Sequence, residues 1–170
     1  MNASTSLDAK PAWMQRCLAL VGQEWPAVQA CDPVNAPMIR HWREALGFSA
    51  EWGEPETAPA TMLQPWLFPG PTRARPPGSA ETDATDVLKI LAEAGYTGVV
   101  TASTEMEFPR ALRVGNRLSY TSRLESVGDE KVTALGIGHF LNFCFTVRDD
   151  SAAVVGLIRF ANLVYRPTST

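Results

Sequence analysis

The chain has 170 residues, a formal net charge of −3 and a pI near 5.4, which is enough length for one domain with its own core. The acidic balance argues against nucleic acid as a partner, because such proteins present a basic face. The apolar run 18–22 is too short to cross a membrane, and no secretory leader is expected. Three cysteines without metal-ligand spacing (Cys17, Cys31 and Cys144) disfavour a zinc site and predict a reduced, cytoplasmic protein.

Residues 1–10 are polar and small, which predicts a disordered tail, and residues 11–170 are expected to form one domain. A short helix should begin at Pro11, and one of its faces should comprise Trp13, Cys17, Leu20 and Val21. Trp25-Pro26 is expected to break it. A second helix is predicted from an Asn35 N-cap to Gly47. Its inward residues should be Met38, Ile39, Trp42, Ala45 and Leu46, with Arg40, Arg43 and Glu44 facing water.

The middle of the chain is rich in proline, with seven of the thirteen prolines between Pro55 and Pro77. This density predicts irregular backbone. One apolar island, residues 61–68, is predicted to form a short buried helix with Pro65 near its first turn or at a kink. A further helix is expected from Thr85 to Ala94, ending at Gly95.

The sequence of the second half of the chain predicts β-strands. Residues 99–108 alternate, which should turn Val100, Ala102, Thr104, Met106 and Phe108 inward. Turns are predicted at 113–116 and 128–130, on either side of a strand over 118–125. The order of helices followed by an antiparallel meander of four strands is typical of an α+β fold, with helix packed on one sheet.

The longest predicted element is a β-hairpin over residues 131–166. One face of its first arm is bulky and apolar with a single histidine, and comprises Thr133, Leu135, Ile137, His139, Leu141, Phe143, Phe145 and Val147. Residues 148–151 should form the turn. The second arm, residues 152–165, begins apolar on both faces, which indicates cover on both sides. We therefore expect a helix against one face and another subunit elsewhere.

Three stretches carry a resemblance to a known family: Asp32–Gly47, Ala58–Gln64 and Glu107–Asn116. In sequence and order they resemble the MaoC-like (R)-specific enoyl-CoA hydratase/dehydratase family, which has the hot-dog fold. More narrowly, they resemble the MaoC-like subunit of heteromeric hydratases that act on steroid side-chain CoA thioesters. The resemblance covers roughly residues 30–167. It implies an antiparallel sheet wrapped around a central helix near Met62, with additional N-terminal helices.

The chain departs from the family where active members carry Gly-Asp-x-Asn-Pro-x-His. With the motif's glycine at Gly47, Phe48 takes the place of the Asp, Ala50 of the Asn and Gly53 of the His. None of these side chains exchanges a proton, so the chain alone should be a poor hydratase. The resemblance then implies a second hot-dog subunit that carries the Asp/His dyad, in a heterodimer or heterotetramer.

The resemblance also implies a site for an acyl-CoA thioester at the start of the central helix, at Ala60, Thr61, Met62 and Trp66, with no cofactor beyond the CoA of the substrate. Thr61 is expected to cap that helix. Arg110 and Arg113 either hold CoA phosphates or are solvated charges at a strand end. His41 and His139 are the fallback acid–base groups, although each is also a plausible structural histidine.

Three functions remain open at this point. The first is the non-catalytic subunit of a heteromeric enoyl-CoA hydratase that binds a bulky, steroid-like acyl-CoA. The second is a self-sufficient hydratase or thioesterase with a rearranged site that uses His41 or His139. The third is a scaffold module that recruits another enzyme, such as an aldolase.

Overall fold

The computed structural model describes residues 10–48, 56–67 and 75–167. The helices are α1 (Ala12–Ala19), α2 (Ala36–Ala45), α3 (Leu63–Leu67) and α4 (Val87–Glu93), and 3-10 turns at Ala60–Met62 and Ala84–Asp86 lead into α3 and α4. The strands are β1 (Glu24–Gln29), β2 (Thr57–Ala58), β3 (Gly98–Glu107), β4 (Leu112–Arg113), β5 (Ser119–Val127), β6 (Lys131–Thr133), β7 (Gly136–Arg148) and β8 (Val154–Pro167). Most of the predicted tail, residues 1–9, lies outside the described residues.

The described strands form one antiparallel sheet in the order β1-β5-β7-β8-β3, with β6 folded back on β7, and β2 pairs separately with β4. The prediction of a sequential meander is therefore wrong, since β3 pairs with β8 rather than with β5. The long β7–β8 hairpin takes the middle of the sheet because it carries the largest apolar face. The outer positions fall to β1 and β3.

The predicted hairpin is confirmed, and its strands pair from Gly136↔Pro167 to Arg148↔Val154. Five of the eight residues assigned to the bulky face are buried (His139, Leu141, Phe143, Phe145 and Val147). Leu135 and Ile137 are instead 46% and 42% exposed. They lie at the open end of the hairpin, opposite its turn. Leu135 is in the β6–β7 turn, and Ile137 is beside β6, a short strand off the main path of the sheet.

Asp149 organises the hairpin turn, as the sequence predicted. One of its carboxylate oxygens, Oδ1, accepts hydrogen bonds from the N–H groups of Ser151 and Ala153, both at 3.0 Å. The same oxygen accepts from the Ser151 hydroxyl at 2.7 Å. These donors, the Ser151 hydroxyl above all, lower the pKa of Asp149 because they favour its charged form.

The buried face of the sheet covers residues 60–67, which we call the central helix. Its residues Met62, Leu63, Trp66 and Leu67 are all buried, which confirms the predicted buried helix in the proline-rich stretch. Phe68 falls outside the described residues. Further along, the helix predicted from Thr85 to Ala94 is observed as α4 and the turn before it, with Gly95 in the left-handed region at φ +90°.

The predicted caps of α2 are confirmed, and its predicted buried face is confirmed in part, since Ile39 is buried and Met38 and Trp42 pack against the core. Asn35 Oδ1 accepts from the Met38 N–H at 3.0 Å, and Gly47 ends the helix with φ +73°. Arg43, predicted to face water, is buried and donates to the Thr57 carbonyl oxygen at 3.1 Å. Ala45 and Leu46 are exposed instead of buried. The helix therefore turns one guanidinium toward β2, where a backbone carbonyl accepts one of its hydrogen bonds.

Two strands differ from expectation. Trp25-Pro26 lies inside β1 rather than in a break, because an edge strand tolerates proline on its unpaired side. On β3, the predicted inward residues are exposed apart from Met106, and this strand forms the opposite edge of the sheet. In α1, Met14 and Cys17 are buried. The predicted core residue Val21, two positions after the end of α1, is instead 36% exposed.

Candidate functional site

The start of the central helix lies beside β4. Strand β2 runs directly into residues 59–60 and pairs with β4 through Thr57↔Arg113 and Ala58↔Leu112. The Val114 N–H donates to the Glu56 carbonyl oxygen at 2.8 Å, which extends this small sheet. The predicted site residues Ala60, Thr61 and Arg113 are exposed and belong to these adjacent segments. Folding thus brings together residues that are about fifty positions apart in sequence.

The predicted cap at Thr61 is wrong. Pro59 is the N-cap of the 3-10 turn, no side chain caps it, and the Met62 N–H donates to the Pro59 carbonyl oxygen at 2.9 Å. Thr61 is one position into the turn, whereas a capping hydroxyl must come from the residue before the helix. Its side chain is left at the exposed start of the central helix.

Met62 and Trp66 are core residues in the single chain. Met62 has no exposed surface, and Trp66 is 4% exposed. The indole Nε1 of Trp66 is buried without a hydrogen-bond partner among the described residues. Their expected contact with an acyl group stays a prediction, and it requires the core around them to open.

The two arginines predicted to hold phosphates lie at the same end of the sheet. Arg110 follows β3, is exposed, and contributes to lowering the pKa of Asp149 in the hairpin turn. The Arg113 N–H donates to Asn116 Oδ1 at 2.7 Å, which closes the predicted 113–116 turn around Gly115 at φ +96°. Arg110 therefore lies near the hairpin turn, and Arg113 lies on β4, the strand that pairs with β2 ahead of the central helix.

One of the three motif positions lies in the described part of the chain. Phe48 follows α2, its N–H donates to the Arg43 carbonyl oxygen at 2.9 Å, and its side chain is 37% exposed. A phenyl ring offers no acid or base at the place where the resemblance puts the Asp. Ala50 and Gly53 lie outside the described residues.

The two fallback histidines have different surroundings. His41 is exposed on α2, with its Nε2 3.5 Å from a guanidinium nitrogen of Arg40. His139 is 3% exposed, and its Nδ1 lies 2.9 Å from the Gly128 carbonyl oxygen. Because a carbonyl only accepts, Nδ1 must carry the proton, and Nε2 of the neutral ring then carries the lone pair.

His139 lines a cleft of about 360 Å³ that the sequence did not reveal, together with Lys10, Pro11, Trp13, Met14, Tyr96, Asp129, Glu130 and Arg166. These residues come from segments far apart in the chain, so no local spacing marks them. The cleft lies at the other end of the sheet from Arg110. His139 pairs with Val164. Glu107, the last residue of β3 before Arg110, pairs with Leu157, which in turn pairs with Thr146. Thr146 is seven residues, or about 23 Å, from His139 along β7.

Two of the three cysteines, Cys17 and Cys144, are not poised for nucleophilic chemistry. Burial raises the pKa of Cys17 to about 11. Burial, followed by the charge of Glu125, raises the pKa of Cys144. Both sulfurs therefore stay protonated near neutral pH and pack as small apolar groups.

Within the described ranges, no helix is long and apolar enough to cross a membrane. The same residues hold no group of three or more His, Cys, Asp or Glu side chains arranged to bind a metal ion.

The chain is similar to subunits of named hydratases. A probable enoyl-CoA hydratase alpha subunit of Thermomonospora curvata is 39% identical over an alignment of 150 residues. The alignment covers 82% of this chain and 47% of the relative. The 3-oxo-4,17-pregnadiene-20-carboxyl-CoA hydratase alpha subunit of Mycobacterium tuberculosis is 36% identical over 124 residues, 66% of this chain and 39% of that protein. The chain spans less than half the length of the curated relatives it matches.

Solved structures share the fold. A chain of the ChsH1-ChsH2 complex from Mycobacterium tuberculosis superposes with a TM-score of 0.78 at 27% identity, covering 93% of each chain. The MaoC-like dehydratase from Rhodospirillum rubrum gives a TM-score of 0.51 at 16% identity, covering 88% of this chain and 94% of the other. The expected α+β hot-dog fold is confirmed.

A protein-family model also matches most of the chain. The model described as "FAS1-like, dehydratase domain region" matches residues 19–156, which include the central helix, α2, α4 and most of the sheet. The chain therefore belongs to the FAS1-like dehydratase domain family, whose MaoC-like members have the hot-dog fold.

Proposed function

We propose that this chain is the non-catalytic hot-dog subunit of a heteromeric enoyl-CoA hydratase, and that it helps to bind a bulky acyl-CoA thioester. The observation that carries the proposal is Phe48, a partly exposed phenyl side chain in the place of the family's Asp. The relatives named as alpha subunits of enoyl-CoA hydratases support it.

Hydration of an enoyl thioester needs groups that move protons. One O–H bond of water breaks, the oxygen bonds to the β-carbon, and a proton is delivered to the α-carbon. A positioned acid or base typically contributes about 10²–10⁴-fold to such a step. Phe48 supplies neither, so the dyad comes from the second subunit.

The partner subunit has an edge to pair with. Nearly all of β3 is exposed, and its apolar residues Val99 and Val100 are 49% and 39% exposed. One side of β3 pairs with β8, and its other side has no partner strand within the described ranges. An exposed strand of this length is a template for pairing. We propose that a second hot-dog subunit adds to β3, with an obligate interface on the order of 2,000 Å².

The acyl-CoA would lie at the end of the sheet where the central helix begins. Arg110 and Arg113 present guanidinium groups there, which suit CoA phosphates because they donate in pairs. Exposed Ala60 and Thr61 follow β2, whose Thr57 pairs with Arg113. A steroid-like acyl group is proposed from the name of the mycobacterial relative.

The test compares the purified chain with its complex with a hot-dog subunit that carries Gly-Asp-x-Asn-Pro-x-His. Turnover of an enoyl-CoA is followed by loss of the enoyl-thioester absorbance. We expect the chain alone to run at less than about one hundredth of the rate of the complex. Substituting the partner's Asp or His should abolish the activity of the complex.

Assembly is tested with one edge variant. Val100→Lys should weaken association with the partner by more than about tenfold in sedimentation, because a lysine on an edge strand blocks pairing. Val132→Lys is the matched control, since Val132 is 83% exposed on β6. Equal association of both variants would remove β3 from the interface.

The rearranged-site alternative has one observation in its favour. His139 lines the cleft, and because its Nδ1 is hydrogen-bonded to the Gly128 carbonyl oxygen, its Nε2 is the ring nitrogen left for a substrate or water. Turnover by the chain alone that is lost in His139→Ala or His41→Ala would establish this alternative and overturn the proposal.

A further inference from the structure

The cleft around His139 is built from five separate parts of the chain, one of which is β8 with Arg166. The Lys10 end of α1 supplies Trp13, the segment after α4 supplies Tyr96, the β5–β6 turn supplies Glu130, and β7 supplies His139. Its volume of about 360 Å³ is in the range of small-ligand sites. It is also far larger than the roughly 30 Å³ that one water molecule occupies in the liquid.

The floor of the cleft holds a ring nitrogen that no described residue pairs with. His139 Nδ1 is committed to the Gly128 carbonyl oxygen, which makes Nε2 the acceptor of the neutral tautomer. Nε2 is buried and has no hydrogen-bond partner among the described residues. Buried polar atoms are nearly always paired with protein or water, so this nitrogen is open to a hydrogen-bonding group that enters the cleft.

A second acceptor lies beside it. Glu130 Oε1 is 3.9 Å from His139 Nε2, which is too far for a direct hydrogen bond but suits one nitrogen that donates to both atoms. The Tyr96 hydroxyl donates to the same Oε1. Burial, followed by this hydrogen bond, raises the pKa of Tyr96 to about 12, so the phenol keeps its proton and holds the carboxylate in place.

The cations at the rim are already engaged. Lys10 Nζ lies 3.2 Å from Asp129 Oδ1. Arg166 donates to the Ala94 carbonyl oxygen at 3.0 Å, and its guanidinium lies 4.2 Å from the centre of the Tyr96 ring. The inner end of the cleft therefore offers acceptors rather than donors, and the Glu130 carboxylate would repel an anion there.

Aromatic rings wall this inner end. The ring centroids of Trp13 and Tyr96 are 5.2 Å apart, and they lie 5.5 Å and 5.0 Å from that of His139. Aromatic faces attract cations through the ring quadrupole, most strongly where water is excluded.

We propose that this cleft binds a primary ammonium group on a short apolar stem, which donates to His139 Nε2 and Glu130 Oε1 and rests against Trp13 and Tyr96. The ammonium is carried by a free alkylamine or by a lysine side chain of another protein. This site is distinct from the proposed acyl-CoA site, and the inference does not depend on the hydratase proposal.

Calorimetric titration of the full chain with n-butylammonium tests the proposal. Butyrate has the same stem with the opposite charge, and n-butyltrimethylammonium keeps the charge but has no N–H. We expect n-butylammonium to bind and both analogues to bind at least about tenfold more weakly, since charge-assisted hydrogen bonds carry the recognition. Nα-acetyl-lysine methylamide separates the sources: its binding indicates a lysine side chain, and its exclusion indicates a free amine.

The variants locate the site. Glu130→Gln removes the charge at a half-exposed position. His139→Phe removes the buried acceptor while keeping an aromatic ring. Each variant should weaken n-butylammonium binding at least about tenfold. Asp150→Asn, an equal charge change in the distant hairpin turn, should leave binding unchanged. If His139→Phe fails to fold, Glu130→Gln decides alone. Absence of binding to the wild type, equal binding of either analogue, or undiminished binding by Glu130→Gln would overturn the proposal.

Discussion

A Cβ atom on Gly156 would lie 2.2 Å from Cδ2 of Leu63. Gly156 is in β8 opposite Val147, and Leu63 is the fully buried first residue of α3. Strand β8 therefore has no side chain at a point where the central helix packs against it. A side chain at position 156 would require the buried Leu63 side chain to move.

Gly156→Ala should therefore lower the free energy of unfolding by about 1–3 kcal/mol, the usual result of overpacking a core. Leu63→Ala should be destabilising alone, yet the double variant should be more stable than the sum predicts, because the smaller side chain makes room for the added methyl group. Chemical denaturation of the four proteins measures the coupling. Strict additivity would show that the two residues do not meet.

A second prediction concerns Asp83, a buried carboxylate that caps the turn before α4. It accepts from the Thr85 N–H at 2.8 Å, from Arg75 Nη2 at 2.5 Å and from the Tyr120 hydroxyl at 3.2 Å. Asp83→Ala should cost about 2–3 kcal/mol of stability, because it leaves buried donors unpaired and removes a helix cap.

Tyr120→Phe removes one of those hydrogen bonds and should cost about 1 kcal/mol. Asp129→Ala is the control, since it breaks only the exposed pair with Lys10 and should change stability by less than about 1 kcal/mol. Thermal unfolding measures all three. If Asp83→Ala and Asp129→Ala have equal effects, the Asp83 network does not stabilise the fold.

Tyr96 gives a third prediction, for alkaline pH. Its pKa in the folded chain is raised from 10.0 to about 12, so the folded state holds this proton more tightly than the unfolded state. The resulting stabilisation is complete below about pH 10 and is lost as the pH rises toward about pH 12. The free energy of unfolding should fall less steeply over this window in Tyr96→Phe than in the wild type. Parallel curves would contradict the raised pKa.

The fourth prediction is for the arginines at the other end of the sheet. Arg110→Gln and Arg113→Gln should each raise the KM of the complex for an enoyl-CoA about fivefold to tenfold with little change in kcat, because phosphate contacts bind substrate and transition state alike. Arg123→Gln on β5 is the control of equal charge. A loss in kcat rather than a rise in KM would mean that the arginines act on the reacting groups.

The sequence revealed the elements whose signals are local. Asn35 and Gly47 mark the ends of α2, and the alternation from His139 to Val147 marks the buried face of β7. It missed β1 because Trp25-Pro26 reads as a break, and only the sheet shows that this strand is an edge. It misplaced Arg43 because the carbonyl that accepts from its guanidinium belongs to Thr57, fourteen residues away.

The candidate sites show the same division. The start of the central helix and the arginines could be named from the family resemblance, since each lies in a short recognisable stretch. The cleft could not, because Trp13, Tyr96, Glu130 and His139 meet only after α1 and β7 have packed. Exposure of β3 was equally hidden, because alternation indicates that one face is buried but not whether the same chain buries it.

The open edge of β3 has a consequence for how the chain behaves before it finds a partner. An edge strand of ten residues offers the N–H and C=O groups of its unpaired side to any extended chain, and copies of this protein are the most abundant candidates at high concentration. The proposed pairing with a second subunit and aggregation would therefore compete for one edge by mass action. The yield of soluble protein should rise when both subunits are synthesised together, and a surplus of this chain should be the fraction that precipitates.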